Sequence, residues 1–265
     1  MSIEGAPSLN KPNPGRMYDY FLQGTDNFPV DRAAGDEVMK KVGKELTRGV
    51  VRENRDFQGR VVNFLAGECG IRQFIDLGSA LPSMEHTHQV AQRVAADAHV
   101  IYVEHDATVA EIGRELLAGE GARHTRLITA DMRDAASILD HRDTQALIDF
   151  TKPVAILFMA VLHCLGDDDH PKSVMNALCA RLVPGSYVAI SHLATEGSPP
   201  EERQNMADAY KNATYPLVYR DIDKIKEFFD DFELLPPGLV PNGAWYPGEA
   251  RGDALKRMYG GVARK

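Results

Sequence analysis

From residue 72 onward the chain alternates two patterns. Short apolar runs are separated by segments whose apolar residues recur every three or four positions. The first run is QFIDLGSALP at 73–82, and a helical pattern follows from about Ser83 to Ala96. Next come VIYVEHD at 100–106, a helix through Leu117, RLITAD at 126–131 and a partly helical stretch at 134–149. A longer apolar run, PVAILFMAVLHCL at 153–165, precedes a helix over 171–182 and a fifth strand, SYVAISHLA at 186–194. Strands alternating with helices at this spacing predict a parallel sheet with helices on both faces.

After residue 194 the pattern loosens. Pro199 and Pro200 open a polar helix to Ala213, and a short helix follows at 221–229. FELLPPGLV at 232–240 and RMYGGVARK at 257–265 predict two last strands, paired antiparallel at the sheet edge with Trp245 between them. The expected fold is therefore α/β, a doubly wound, Rossmann-like, mostly parallel sheet of seven strands. Upstream, Pro7, Pro12, Pro14 and Gly15 make residues 1–15 read as a flexible arm. The segment RMYDYFLQGTDNFPVDR at 16–32 has no clean period, and Gly24 and Pro29 divide it into short pieces. Residues 33–70 read as helix, with Phe57, Val61, Val62, Phe64 and Leu65 on one face. The chain thus divides into an arm at 1–15, a helical extension or lid at 16–70, and an α/β domain at 71–265 with an inserted helix near 200–213.

Composition narrows the function. A chain of 265 residues, 44% hydrophobic and 26% charged, can build its core without disulfides or metal. Cys69, Cys164 and Cys179 are odd in number and lack CxxC spacing, which argues against a zinc site or disulfide framework. A net charge of −8 opposes binding to phosphate backbones. Arg48, Arg52, Arg55 and Arg60 alternate with acids and apolar residues and read as an ordinary helix face. No stretch of about 20 apolar residues is present to span a membrane, and the first residues do not resemble a signal peptide. A cytoplasmic protein with no nucleic-acid or membrane partner is expected; the oligomeric state is not indicated.

In a doubly wound sheet, ligands bind beyond the carboxyl ends of the strands. Three strand ends carry suitable chemistry. The first is Asp76-Leu77-Gly78-Ser79-Ala80-Leu81, where Gly78 permits close backbone approach. The second is Glu104-His105-Asp106, where an acid can accept hydrogen bonds from both ribose hydroxyls. The third is Ala130-Asp131-Met132, with a carboxylate for an adenine amino group and a thioether for the ring face. Met159 and Ala160, on the fourth run, complete the expected cofactor-binding set. Three such signals in order point to an adenosyl ligand. The turn GSALPS lacks GxGxxG and would crowd a pyrophosphate, so S-adenosylmethionine is favoured over a dinucleotide.

The motifs resemble a bacterial S-adenosylmethionine-dependent methyltransferase family long catalogued as a domain of unknown function. The resemblance is carried by RMYDYFLQGTDNFPVDR at 16–32, NRDFQGRVVNFLA at 54–66, QFIDLGSALPS, VIYVEHD, the VLH at 161–163, PGSYVAISHL and FFDDFELLPPGLVP. It implies a class I methyltransferase fold. One departure stands out: where the family turn reads like DIGTGLPT, this chain has DLGSALPS, with Ala80 in place of the second glycine.

Other candidates are weaker. His86 and His88 form an HxH pair that reads as polar helix surface, and Asp167-Asp168-Asp169-His170 reads as an N-terminal cap for the next helix, so no metal is expected. His163 is the candidate general base, the alternative being a strand-end residue bonded to backbone. Tyr18, Asp19, Tyr20 and Asn27 are expected to line a lid or acceptor pocket. The reading is a methyltransferase with an unidentified, small-molecule acceptor. The alternatives are a cofactor-binding or regulatory protein without turnover, and a dinucleotide oxidoreductase.

Overall fold

The computed structural model describes residues 10–81, 85–120 and 122–265. Three helices come first: α1 (Pro14–Phe21), α2 (Pro29–Val42) and α3 (Lys44–Gly67). The α/β part follows as β1 (Gln73–Leu77), α4 (Thr87–Val94), β2 (His99–Glu104), α5 (Ala107–Gly119), β3 (Thr125–Thr129), α6 (Ala135–Leu139), α7 (Arg142–Leu147), β4 (Ala155–Met159), α8 (Pro171–Cys179) and β5 (Tyr187–Leu193). Then come α9 (Pro200–Tyr210), α10 (Ile222–Lys226), β6 (Glu233–Leu234), β7 (Val240–Pro241), the small pair β8 (Trp245–Tyr246) and β9 (Glu249–Ala250), and β10 (Met258–Arg264).

The sheet order is β3-β2-β1-β4-β5-β10-β6, with β7 also on β10. β1 to β5 are mutually parallel, and β10 runs antiparallel to β5, from Met258 opposite Leu193 to Arg264 opposite Tyr187. The class I architecture expected from the sequence is present. The run expected as one edge strand is interrupted at Pro236 and Pro237, so its two halves, β6 and β7, pair separately with the same edge of β10. The order reverses between β1 and β4, which opens the ligand cleft above that pair.

Period-two burial divides the core between the two faces. Ile75, Leu77, Ile101, Val103, Ile156 and Phe158 pack with α8 and Phe228. Phe74, Val100, Tyr102 and Leu157 pack with Phe57, Val61 and Leu65 of α3 and with Trp245. Trp245 is fully buried, edge-on to Phe57 at 5.4 Å. The close approach of α3 depends on Gly260 of β10, where a Cβ would stand 2.5 Å from the Phe57 ring. A third cluster, Met17, Phe21, Val38, Met39, Val51 and Tyr210, joins α1, α2 and α3 to α9. The extension and the inserted helix therefore form one cap.

Several expectations change. Helix 33–70 is two helices, broken at Gly43, whose φ is +104°. Residues 1–9 of the proposed arm lie outside the described residues. Residues 10–15 are not an arm: α1 begins at Pro14, and Asn13 is buried as its N-cap, accepting from the Gly15 and Arg16 amides. The fourth strand stops at Met159; Ala160 turns left-handed and 162–164 form a single 3-10 turn. His86 and His88 are buried rather than on the surface, with His88 bonded to Tyr102 and Glu120. The DDDH segment does not cap α8: Asp167 pairs with Arg220, Asp169 with Arg133, and His170 provides no side-chain bond to the helix. Cys179 is core, and no cluster of three metal-ligating side chains exists among the described residues. No helix among them is long and apolar enough to cross a membrane.

A buried ion cluster fastens the cap. Arg16 Nε donates to Asp31 at 2.7 Å, and Arg16 Nη1 lies 3.7 Å from Asp106. Asn13 donates its side-chain amide to Asp106 and its backbone N–H to Asp31, both at 2.9 Å. All four side chains are almost wholly buried. Arg16→Met would leave two buried carboxylates without their cation. The expected cost is about 3–5 kcal/mol, read as a lower urea midpoint by Trp245 fluorescence. A loss below about 1 kcal/mol, the size of an exposed pair, would rule the cluster out as the anchor.

Candidate active site

A cleft of about 750 Å³ lies over the carboxyl ends of β1 to β5. Its floor is the strand ends, its roof is α1 and α3, and its far wall is α9 with residues 213–219.

The β1 turn is tightly built. Asp76 is 1% exposed, and its Oδ2 accepts from Thr87 at 2.7 Å and from Gln58 at 3.0 Å. Burial pushes its carboxyl up to about 6, against the hydrogen bond from Thr87 and the charge of Arg55. Gly78 has φ +63°, and a Cβ there would collide with Val161 at 2.2 Å. Glycine is thus required by the protein's own packing as well as by backbone conformation. Ser79 and Ala80 line the cleft, whereas Leu81, 2% exposed, is not among its lining residues.

Ala80 has φ +52°, the left-handed region that favours glycine. Its Cβ would lie only 2.8 Å from a Cβ built on Gly15 at the start of α1. The departure from the family turn is therefore accommodated by glycine on the roof.

At the end of β2, Glu104 lines the cleft and is 8% exposed. It accepts from the Asp106 amide at 2.8 Å and the Ala80 amide at 3.1 Å, so two backbone donors fix its carboxylate. Burial nevertheless raises it to about 7. His105 lines the cleft. Asp106 does not; it caps α5 by accepting from the Thr108 and Val109 amides, and its other oxygen faces the Arg16 cluster. Beyond β3, Asp131 and Met132 both line the cleft. Burial opposes ionisation of Asp131, but hydrogen bonds from Arg133 outweigh it and hold the carboxyl below the usual range.

Met159 and Ala160 contribute the floor at β4. His163 also lines it, 6% exposed. Its Nδ1 accepts the Leu193 amide at 3.3 Å, so the neutral ring carries its proton on Nε2. Burial, then the neighbouring His192 and Arg220, holds it well below the usual imidazole range. Arg220 fixes this turn by donating to the carbonyls of Leu162 and Leu165 and to His192 Nε2. His192 in turn donates from Nδ1 to its neighbour's carbonyl, and burial pushes it down to about 3.

Of the four proposed lid residues, only Tyr18 lines the cleft. Its hydroxyl donates to the Val51 carbonyl and accepts from Asn54. Asp19 and Asn27 hold the turn between α1 and α2: Asp19 accepts from the Asp26 amide and from the Asn27 side chain, which also donates to the Gly24 carbonyl. Tyr20 donates to Asp36 on the outside. The polar density of this segment serves its own folding. Arg55, expected on an ordinary helix face, and Gln58, which was not singled out in the sequence, line the cleft from α3 with Val51 and Asn54. Their spacing of three and four, one helix face, was the available signal. Tyr215, edge-on to His105 at 5.8 Å, came from an aperiodic segment with no such signal.

The S-adenosyl methyltransferase family model matches residues 6–265. The chain belongs to the S-adenosyl methyltransferase family. Its cofactor is S-adenosylmethionine. A methyltransferase candidate from Thermobifida fusca YX, solved as a crystal structure, is 38% identical; the match covers 100% of this chain and 99% of that one, with a TM-score of 0.88. A DUF574 family protein from Streptomyces avermitilis is 34% identical over 97% of this chain and 100% of its own, with a TM-score of 0.87. Mitomycin 7-O-methyltransferase MmcR shares the fold at 15% identity and a TM-score of 0.54, over 98% of this chain and 74% of its own. No curated protein matches the chain. The residues present suit the methyltransferase cofactor: a buried carboxylate at β2 fixed by two backbone amides and able to accept from hydroxyls, a left-handed turn at Gly78 and Ala80, and a buried acid at β1.

In this methyltransferase Ala80→Gly would remove a left-handed alanine worth about 1–2 kcal/mol. The greater freedom of glycine in the unfolded chain offsets about 0.4–1 kcal/mol of it. We expect a melting temperature equal to or slightly above wild type, with cofactor affinity unchanged or tighter by calorimetry. A clear loss of affinity would mean that the Ala80 methyl group contacts the cofactor.

Proposed function

We propose that this methyltransferase acts in the cytoplasm on a small-molecule acceptor held beneath the cap. The observation that carries the reading is one continuous cleft, of a size typical for small ligands, that runs from the strand ends to the wall made by Met206, Tyr210 and Leu217. The adenine lies toward Asp131 and Met132, the ribose hydroxyls donate to Glu104, and the methionyl end reaches the β1 turn. The acceptor occupies the remaining space between Tyr18, His163 and α9. Acidic net charge and the closed roof support a small molecule over a nucleic acid.

Bound cofactor supplies a methyl group on sulfonium, a leaving group that needs no acid. The protein's part is then alignment and exclusion of water. Tyr18 and Tyr210 form walls that keep solvent out. His163, held in its Nε2–H form by the Leu193 amide, serves as a hydrogen-bond donor that orients the acceptor rather than as a general base. Nitrogen-15 shifts of the imidazole are expected to report a neutral Nε2–H tautomer from pH 6 to 8. A deprotonated Nε2 would restore the base reading.

Calorimetry tests the cofactor site. Adenosylmethionine and adenosylhomocysteine are expected to bind and NAD is not; binding of NAD alone would overturn the reading. Glu104→Ala is expected to weaken cofactor binding at least about tenfold, or about 1.4 kcal/mol.

The pH dependence has a defined sign. Glu104 and Asp76, with ordinary values of 4.5 and 3.8, are raised in the folded chain to about 7 and about 6. Between each pair of values the folded chain binds more protons than the unfolded one. Their contribution to stability is therefore present below the ordinary values and lost as pH rises through 6 to 7. Cofactor binding runs the other way, because ribose hydroxyls donate to ionised Glu104. Affinity is expected to fall about tenfold from pH 8 to pH 6, with protons released on binding. Glu104→Gln should flatten that profile; an unchanged profile would remove Glu104 from the ribose site.

A further inference from the structure

The cleft has two chemically different halves. Charged side chains border the half over β1 to β3: Asp76, Glu104, Asp131 and Arg133 stand there, and Arg55 acts on the Asp76 carboxylate. Asp169 is paired with Arg133, and Lys11 is exposed, its carbonyl accepting from Arg16. The other half lies between the cap and the ends of β4 and β5. Phe21, Val42, Leu46, Val50, Met206 and Leu217 line it, from α1, from both sides of the Gly43 break, and from α9 and the segment after it. The charged lining residues of this half, among those described, are Glu202 of α9 and Arg257 just before β10. They are committed to each other through hydrogen bonds of 2.7 and 2.9 Å. An ionised group buried here would meet no free countercharge, which is costly.

The polar groups of this half are neutral donors. Tyr210 is 7% exposed, and its hydroxyl, not sealed in by its neighbours, has no partner among the described residues. Tyr219 lines the same space, and its hydroxyl is likewise unpartnered among them. Burial raises both phenols above their usual range, so each keeps its proton. Burial also pushes the Cys164 thiol up to about 12. His163 presents Nε2–H, because its Nδ1 accepts the Leu193 amide. Buried donors are almost always paired. Open, uncharged donors around an apolar space are the complement of an oxygen that accepts, carried on an apolar body. The flexible thioether of Met206 suits a wall against such a body. We propose that the methyl acceptor is an uncharged, largely apolar hydroxy compound, whose oxygen accepts from the Tyr210 hydroxyl while its body lies against Met206 and Leu217. The proposal rests on the acceptor position given above and adds to it a chemical class and a residue that selects for it.

The test uses naphthol, naphthoate and naphthylmethylammonium, which share one ring system and differ in charge. Each is titrated by calorimetry, at neutral pH, into the full chain saturated with S-adenosylhomocysteine. Wild type is expected to bind naphthol at least about tenfold more tightly than either ion, because an unpaired buried charge costs more than that factor. Tyr210→Phe keeps the wall and removes the hydroxyl. It should weaken naphthol about fivefold, the size of one neutral hydrogen bond, with native affinity for S-adenosylhomocysteine, which also shows that the variant is folded. If that variant does not fold, the wild-type series decides by itself. Equal or tighter binding of either ion, no detectable binding of naphthol, or undiminished naphthol affinity in folded Tyr210→Phe would overturn the proposal. Failure of wild type to bind S-adenosylhomocysteine would instead overturn the cofactor site on which it rests.

Discussion

The cap's position depends on the buried Arg16–Asp31–Asp106 cluster. Three charges and the Asn13 amide are removed from water there, and such a set is tolerable only when each member is paired. Geometry follows from that demand. Arg16 belongs to α1 and Asn13 to its N-cap, Asp31 to the first turn of α2, and Asp106 to the cap of α5. Bringing these charges together sets the register of the extension over the sheet. The same Asp106 donates its backbone N–H to Glu104, so the anchor and the proposed ribose acid belong to one hydrogen-bonded network.

The cap behaves as part of the site because it is made from both ends of the chain's architecture. α1 and α2 pack on α9, an insertion after β5, through Met17, Phe21, Val38 and Tyr210. The Thr214 amide donates to the Pro12 carbonyl, and Asn13 lies 3.5 Å from the Thr214 hydroxyl. A helix that is polar along much of its length gains its place through this packing rather than through propensity. The cleft's wall and roof are consequently one unit, and Tyr18 takes part in both.

Burial sets the electrostatics of the cleft at β1 and β2. Burial holds Asp76 and Glu104 at raised values, so each ionises at a cost that incoming donors reduce. The left-handed Ala80 between them adds backbone strain at the same place. Arg55, stacked on the Tyr18 ring with two buried nitrogens lacking an acceptor among the described residues, lines the same cleft. Arg133, Arg220 and Arg257 are by contrast engaged in holding turns and helices.

What the sequence determined by itself was whatever repeats at short range. Period-two apolar runs and helical periods specified the doubly wound sheet, the strand ends at which Asp76, Glu104 and Asp131 stand, and the terminal antiparallel pair, because burial against a sheet acts on neighbouring residues in turn. The opening segment was recognisable by motif, but its function was not legible there. Asp19, Tyr20 and Asn27 look like pocket residues in sequence; only the fold shows them bonding to their own turn or to α2. Asp106 likewise reads as a strand-end acid until a helix begins one residue later and takes its carboxylate as a cap. Arg55 and Tyr215 enter the cleft because α3, packed on one face of the sheet, and residues 213–219 both border it. Those are contacts across tens to hundreds of residues, made by tertiary packing; the helical spacing on α3 groups Arg55 with Gln58 but does not say what that face meets.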